Sequence, residues 1–206
     1  MSDLSDHPLV ADRLARLRSV DCTPEEFRRH VVDIARLLVL PATAHLPTAP
    51  CQVTTPLQKM TGMKLASPVI LVPILRAGLG LSEGFHQLLP EAAIAHYGMA
   101  RNEETLEAEV YLEKFPARLE RAEVIVLDPM LATGGSAIAA IDGLKKHGAQ
   151  SLHFVCLVAS PEGMIRLKEA HPEVPITCAA IDDGLNEAGY ILPGLGDAGD
   201  RIFGTI

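Results

Sequence analysis

Between Pro68 and Ile181 the chain repeats one texture: a short run that is apolar on consecutive residues, then a stretch with helical spacing. The runs are PVILVP (68–73), AAIAHYG (92–98), AEVYLEKF (108–115), AEVIVLD (122–128), SLHFVCLVA (151–159) and VPITCAAI (174–181). A strand with one face in water alternates apolar and polar residues. Several of these runs do not alternate, as expected of parallel strands covered by helices on both faces. GLSEGFHQLL, GSAIAAIDGLKKHG and SPEGMIRLKEAH supply the helices between them, the last with Ser160 as N-cap and Pro161 at its first position. Strand–helix–strand alternation implies right-handed crossovers and an open, mostly parallel α/β sheet flanked by helices. Such sheets bind ligands at the carboxyl ends of their strands.

The flanks read differently. Residues 1–50 form a helical N-terminal region: Thr23, Pro24 and Glu26 stand as N-cap, N1 and N3 of a capping box. Phe27, Val31, Ile34, Leu37 and Leu38 follow at helical spacing, and Pro41 ends or kinks the pattern. The glycine-rich tail, residues 182–206, keeps Tyr190, Ile191, Leu192, Ile202 and Phe203, so it is expected to fold back as a hood on a single domain spanning 1–206. With 206 residues, 48% of them hydrophobic, the chain has material for one substantial core.

The net charge of −8, with lysines and arginines scattered, disfavours a nucleic-acid or anionic-membrane partner. Cys22, Cys51, Cys156 and Cys178 form no CxxC pair and read as reduced, mostly buried thiols; with no ligand spacing among the histidines either, no protein-held metal is expected. MSDLSDHPLV does not resemble a signal peptide, and SPVILVPILRAGLGL is interrupted by Arg76 and too short to span a bilayer. The expectation is a soluble, cytoplasmic protein.

The stretch VIVLDPMLATGGSAIAAIDGLKKHGA (124–149) carries the clearest chemistry. It lacks the lysine of a Walker A loop and the third glycine of a dinucleotide fingerprint. What remains is Thr133-Gly134-Gly135-Ser136 at a helix N-terminus, where free N–H groups, two hydroxyls and the helix dipole favour one terminal phosphate. Asp128 ends the strand five residues before Thr133, beside the sugar such a phosphate would carry, and its carboxylate can accept from ribose hydroxyls. The competing reading makes Thr133 and Ser136 simple caps and Asp128 a strand terminator.

Two arginines call for an anion. Arg76 follows the apolar strand Val69–Val72, where a cation is costly unless paired. Gly78 and Gly80 behind it read as a tight loop, so Arg76 serves either a pyrophosphate group or a buried structural carboxylate. Arg101 ends a strand and enters the acidic loop RNEETLE; alone, it fits a solvated ion pair as well as a ligand contact. In the tail, Gly189, Gly194, Gly196, Gly199 and Gly204 surround Asp197 and Asp200 and expose backbone N–H and C=O groups to a small ligand, or simply form a mobile surface tail.

These segments together resemble a known family. VLDPMLATGGS looks like the phosphoribosyl-diphosphate (PRPP) motif of type I phosphoribosyltransferases in its uracil phosphoribosyltransferase form, where Pro129 stands in place of a second acid. PILRAGLG, RNEETLE and GYILPGLGDAGDRIFGT resemble the same family, and the likeness runs from about residue 7 to the C-terminus, weakest over 44–66. It implies transfer of a phosphoribosyl group from PRPP to uracil, giving UMP and pyrophosphate. Arg76, Arg101, Asp128, Pro129, Met130, Leu131, Ala132, Thr133, Gly134, Gly135, Ser136 and Asp197 would then contact PRPP, and Ile191, Gly196, Asp197 and Ala198 would contact uracil. Arg76, Arg101 and Asp197 would be the catalytic residues, with Mg²⁺ carried mainly by PRPP. Family members often have an aromatic residue where Ala100 precedes Arg101. The resemblance also implies a homodimer or larger homo-oligomer and, in some relatives, a GTP effector. No histidine or lysine of these motifs is placed to take the uracil proton; Asp197 is a candidate, though a carboxylate is a weak base for it. A transferase for another base, such as a purine or orotate, a non-catalytic regulator on the same fold and a phosphosugar-binding protein are the alternatives.

Overall fold

The computed structural model describes residues 2–101, 108–117 and 119–205, with the side chains of Ala100, Arg101, Ala108 and Glu109 outside the described set. Strand β1 (Ser2–Asp3) precedes helices α1 (Pro8–Arg18) and α2 (Pro24–Thr43). An arm of β2 (Thr48–Thr54) and β3 (Lys59–Leu65) leads to β4 (Val69–Leu75) and α3 (Gly78–Leu88). Then come β5 (Ala93–Ile94), β6 (His96–Arg101), β7 (Ala108–Lys114), β8 (Glu123–Leu127), β9 (Met130–Leu131) and α4 (Gly135–Lys146). The chain finishes with β10 (Ser151–Ala159), α5 (Pro161–Ala170), β11 (Ile176–Ile181), β12 (Gly184–Leu185), β13 (Ile191–Leu192) and α6 (Ala198–Phe203).

The main sheet runs β1-β11-β10-β8-β4-β6-β7, all parallel except the antiparallel β6–β7 pair at one edge. Its central strands are covered on both faces, so consecutive residues face separate cores. Leu71, Ile125, Leu127 and Val155 pack with α1, α2 and α3, while Ile70, Val72, Val124 and Val126 pack with α4 and α5. That is why PVILVP is apolar throughout. The run AAIAHYG divides into β5 and β6, which pair with successive parts of β4.

The N-terminal region is helical with two differences. Ser2–Asp3 adds a strand beside β11, and β2 begins at Thr48. The capping box of α2 is present: Thr23 Oγ1 accepts from Glu26 N–H, and the Glu26 carboxylate accepts from Thr23 N–H. Pro41 does not end this helix, which continues to Thr43. The proline falls in the last turn, where it removes little of the ladder, and buried Leu38, Val39 and Ala42 hold that turn against the core. All four cysteines are free; Cys156 and Cys178 are buried, whereas Cys22 and Cys51 are half-buried. Among the described residues no helix is long and apolar enough to cross a membrane.

Candidate active site

Strands β4 and β8 lie side by side at the centre of the sheet, and the chain leaves them in opposite directions: from β8 outward to β10 and β11, from β4 outward to β6 and β7. A crevice forms above the carboxyl ends of strands at such a point. Arg76 emerges there from β4 and Asp128 from β8. The crevice holds a cavity of about 390 Å³ lined by both residues and by Met99, Thr133, Ser136 and Asp197, among others. A 220 Å³ side cavity adjoins it and shares Met130, Ala132, Gly189 and Asp197.

The Thr133–Ser136 loop is the floor of the crevice. Pairing of β9 with β10 fixes its start, and Gly134 turns the chain into α4 with φ of +81°, a left-handed conformation that favours glycine. No side chain caps α4, so Thr133 and Ser136 are not N-caps. Their hydroxyls and the unpaired N–H groups of the first turn border a small recess lined by residues 130–137. The positive end of the helix dipole points the same way. The neighbouring helix supports the loop from outside. Ser160 Oγ accepts from Gly163 N–H at 2.9 Å and donates to Ala132 O at 2.6 Å, and Arg166 donates to Thr133 O at 2.8 Å. Gly163 lies so close that a Cβ there would sit 2.3 Å from Ala132 O. Pro129 is not among the residues that line the two cavities or the recess. It is buried, and its carbonyl accepts from the Leu157 and Val158 N–H groups of β10.

Asp128 is partly buried at the crevice wall, where Met130 N–H donates to it at 3.4 Å. Loss of surrounding water pushes its carboxyl up to about 7, against the opposing pull of that N–H. Of the two readings of Arg76, the buried pair with a structural carboxylate does not hold. Its side chain is 57% exposed, because the strand ends one residue earlier and the arginine stands in the mouth of the crevice. Its Nη2 lies 3.4 Å from Asp200 Oδ1, and its guanidinium sits 5.6 Å from the centroid of the Phe203 ring. Gly78 and Gly80 form no loop either; they lie in the first turn of α3. Arg101 ends β6, next in the sheet to β4; its side chain and the RNEETLE loop after it lie outside the described residues, as does any effect of Ala100.

The tail folds back as expected, but unevenly: Ile191 and Ile202 are buried, whereas Tyr190, Leu192 and Phe203 stay about half exposed. Strands β12 and β13 make a short hairpin, and α6 docks on α2. Ile191, Gly196, Asp197 and Ala198 come together around the side cavity with Ala188, Gly189 and Tyr190. Asp197 caps α6, its Oδ1 accepting from Asp200 N–H at 2.8 Å. Arg18 and Arg28 from the N-terminal helices, and Arg201 of α6 itself, fasten this segment. Arg18 pairs with Asp182 and Gly194 O, Arg28 donates to Ile202 O, and Arg201 donates to Leu195 O and Ser19 O. Neither these clamps nor Ser160, Gly163 and Arg166 carried a site signal in the sequence; apart from the Arg201–Leu195 and Ser160–Gly163 bonds, their partners lie far along the chain.

A family model described as uracil phosphoribosyltransferase matches residues 4–205. A uracil phosphoribosyltransferase of Ligilactobacillus salivarius is 52% identical over 97% of this chain and 96% of its own. One from Ureaplasma parvum is 48% identical over the full length of both. Among solved structures, a protein from Aquifex aeolicus superposes with a TM-score of 0.91 at 37% identity, covering 96% of this chain and 95% of its own. A purine phosphoribosyltransferase from Pyrococcus horikoshii shares the fold alone, with a TM-score of 0.53 at 15% identity over 74% and 83% of the two chains. This chain therefore belongs to the uracil phosphoribosyltransferase family.

Proposed function

We propose that the chain joins uracil to the ribose of PRPP, releasing pyrophosphate and forming UMP. The observation that carries this reading is the pair of adjoining cavities at the ends of β4 and β8. One has a phosphate cradle and an arginine at its mouth; the other, smaller, is walled largely by backbone and small side chains. Thr133–Ser136 hold the 5-phosphate, Asp128 accepts from ribose hydroxyls, and Arg76 and Arg101 receive the diphosphate. Met130, Leu131, Ala132 and Gly134 shape the floor. Uracil offers two carbonyls and an N3–H, which suit the backbone groups of Ile191 and Gly196–Ala198.

Displacement at ribose C1 builds positive charge on the sugar and negative charge on the departing diphosphate. The chain contributes mainly by positioning and by charge complementarity, with Arg76 and Arg101 assigned to the leaving group. Asp197 is the acid that lines both cavities, which makes it our candidate for contact with the sugar and for the uracil N1 proton. Among the described residues no cluster of three or more metal-ligating side chains occurs, and Asp128 and Asp197 are the acids that line the crevice. That donor set fits an ion delivered by the substrate. Mg²⁺ bound to PRPP supplies charge neutralisation on the diphosphate.

The decisive assay mixes the purified chain with PRPP, Mg²⁺ and one base at a time, and follows nucleotide and pyrophosphate. UMP from uracil is expected; turnover of a purine or orotate without uracil would overturn the proposal. Adding GTP to the same assay tests the activation implied for some relatives. We further propose that residues 1–206 act as one phosphoribosyltransferase domain in a homo-oligomer. The β2–β3 arm, a separate two-stranded sheet that exposes Leu57, Met60, Met63 and Leu65, supports self-association, and sedimentation analysis reads it.

A further inference from the structure

The hood motif contains two acids, and the reading above gives a role only to the first. Asp197 caps α6 through Asp200 N–H, while the Asp200 carboxylate turns towards Arg76. Asp200 Oδ1 is 3.4 Å from Arg76 Nη2 and is itself oriented by Thr205 Oγ1, which donates to it at 2.6 Å. Phe203, three residues on and so on the same helix face, places its ring beneath the Arg76 guanidinium. Gly199 lies beside both groups: a Cβ there would press on Asp197 Oδ1 at 3.2 Å and meet Arg76 Nη2 at an ordinary 3.9 Å. The helix that makes these contacts is anchored by buried Ala198 and Ile202 and by the Arg28 bond to Ile202 O.

An exposed arginine in a crevice mouth samples many rotamers, and holding it in one lowers the entropy lost on ligand binding. The start of α6, Asp197 and Ala198, also lines the base cavity. One short helix thus touches both the base cavity and the arginine assigned to the diphosphate. We propose that Asp200 is a positioning residue: with Phe203 it holds the Arg76 guanidinium in place for the diphosphate and ties that grip to the base cavity. This rests on the assignment of Arg76 to the diphosphate. An exposed ion pair with one cation–π contact supports an effect of about threefold to tenfold, not a loss of function.

The test uses the full chain with Asp200→Asn, Asp200→Glu, Arg76→Ala and the double variant Arg76→Ala/Asp200→Asn, each checked by thermal melting. Two quantities are read: KM for PRPP and for uracil, and the affinity for inorganic pyrophosphate with Mg²⁺. Asp200→Asn is expected to raise the PRPP KM and weaken pyrophosphate binding about fivefold, with a smaller change in uracil KM, while Asp200→Glu recovers part of the loss. In the Arg76→Ala background the same substitution should change nothing further. An equal loss in both backgrounds would show that Asp200 acts elsewhere. Tighter pyrophosphate binding by Asp200→Asn would show that the carboxylate masks Arg76. Either result overturns the proposal. Unaltered pyrophosphate binding by Arg76→Ala would overturn the arginine assignment and this inference with it. Absence of uracil turnover by the unaltered chain would instead sink the proposed reaction, while the pyrophosphate titration would still report on Asp200.

Discussion

Deleting the Arg18 guanidinium probes how the base cavity is held in shape. Asp182 follows β11 with its side chain only 4% exposed. Its Oδ1 accepts from Arg18 Nη2 at 2.6 Å, and its Oδ2 accepts from Arg18 Nη1 at 2.8 Å and from Gly194 N–H at 2.9 Å. Arg18 Nη1 donates to Gly194 O as well, so a single fork fixes the turn that leads into Gly196 and Asp197. Arg18→Met keeps the apolar stem but leaves a nearly waterless carboxylate with one remaining donor. Removing one partner of a buried ion pair costs about 3–5 kcal/mol. The Arg18 side chain is 22% exposed, so water can reach Asp182 once the guanidinium is gone, and about 2–3 kcal/mol is the appropriate range. At roughly 2–4 °C per kcal/mol for a chain of this size, the melting temperature should fall by about 5–10 °C. Uracil KM should rise more than PRPP KM, because the disturbed turn borders the side cavity and not the phosphate loop. Adding Asp182→Asn should restore part of the stability, since the amide oxygen still accepts Gly194 N–H. Thermal melting and steady-state kinetics with each substrate varied read these effects. Unchanged melting and uracil KM in Arg18→Met, or a double variant less stable than the single, would refute the clamp.

Other outcomes follow from the same geometry. Arg76→Ala should lower kcat/KM at least tenfold while its melting temperature holds, as expected for the loss of one charge contact worth about 2.7–4 kcal/mol in the transition state; near-normal kinetics would remove its role. Gly163→Ala would push a methyl group into Ala132 O and Leu131 O, so PRPP KM should rise while overpacking costs about 1–3 kcal/mol; unchanged PRPP KM would show that α5 does not position the loop. Asp128 has a carboxyl raised to about 7, so between its ordinary value and 7 the folded chain keeps a proton that the unfolded chain has lost. Stability should therefore fall as pH rises through that window and level off above it. Asp128→Asn should lack the fall, melt higher than the unaltered chain at pH 8 and transfer poorly, whereas parallel melting curves across pH 4–8 would refute the burial of this acid.

Much of this molecule was readable locally. The capping box at Thr23, the cap at Ser160 and the glycine turn into α4 are interactions between residues no more than four apart, so their signals sit together in the chain. The consecutively apolar strands announced two covered faces for the same reason: each strand carries both faces in its own sequence. The tight spacing of Asp128 and Thr133–Ser136 likewise made a strand end followed by a glycine loop and a helix N-terminus legible.

Arg76 marks the boundary of that legibility. Its apolar predecessors left a buried structural pair and an exposed ligand contact both open, because exposure depends on where β4 stops relative to β8 and on what covers the gap, which no local window reports. Its partners, Asp200 and Phe203, arrive from a helix more than a hundred residues away. The Arg18–Asp182 clamp and the join between the two cavities were equally hidden, because burial and pairing are properties of the assembled fold. The sequence by itself determined most of the elements and the glycine loop at the start of α4, since propensity, capping and backbone chemistry act over a few residues. Only the tertiary structure decided which cations are exposed, what orients them and how the base cavity meets the sugar site, since those depend on desolvation and contact between segments that approach only on folding.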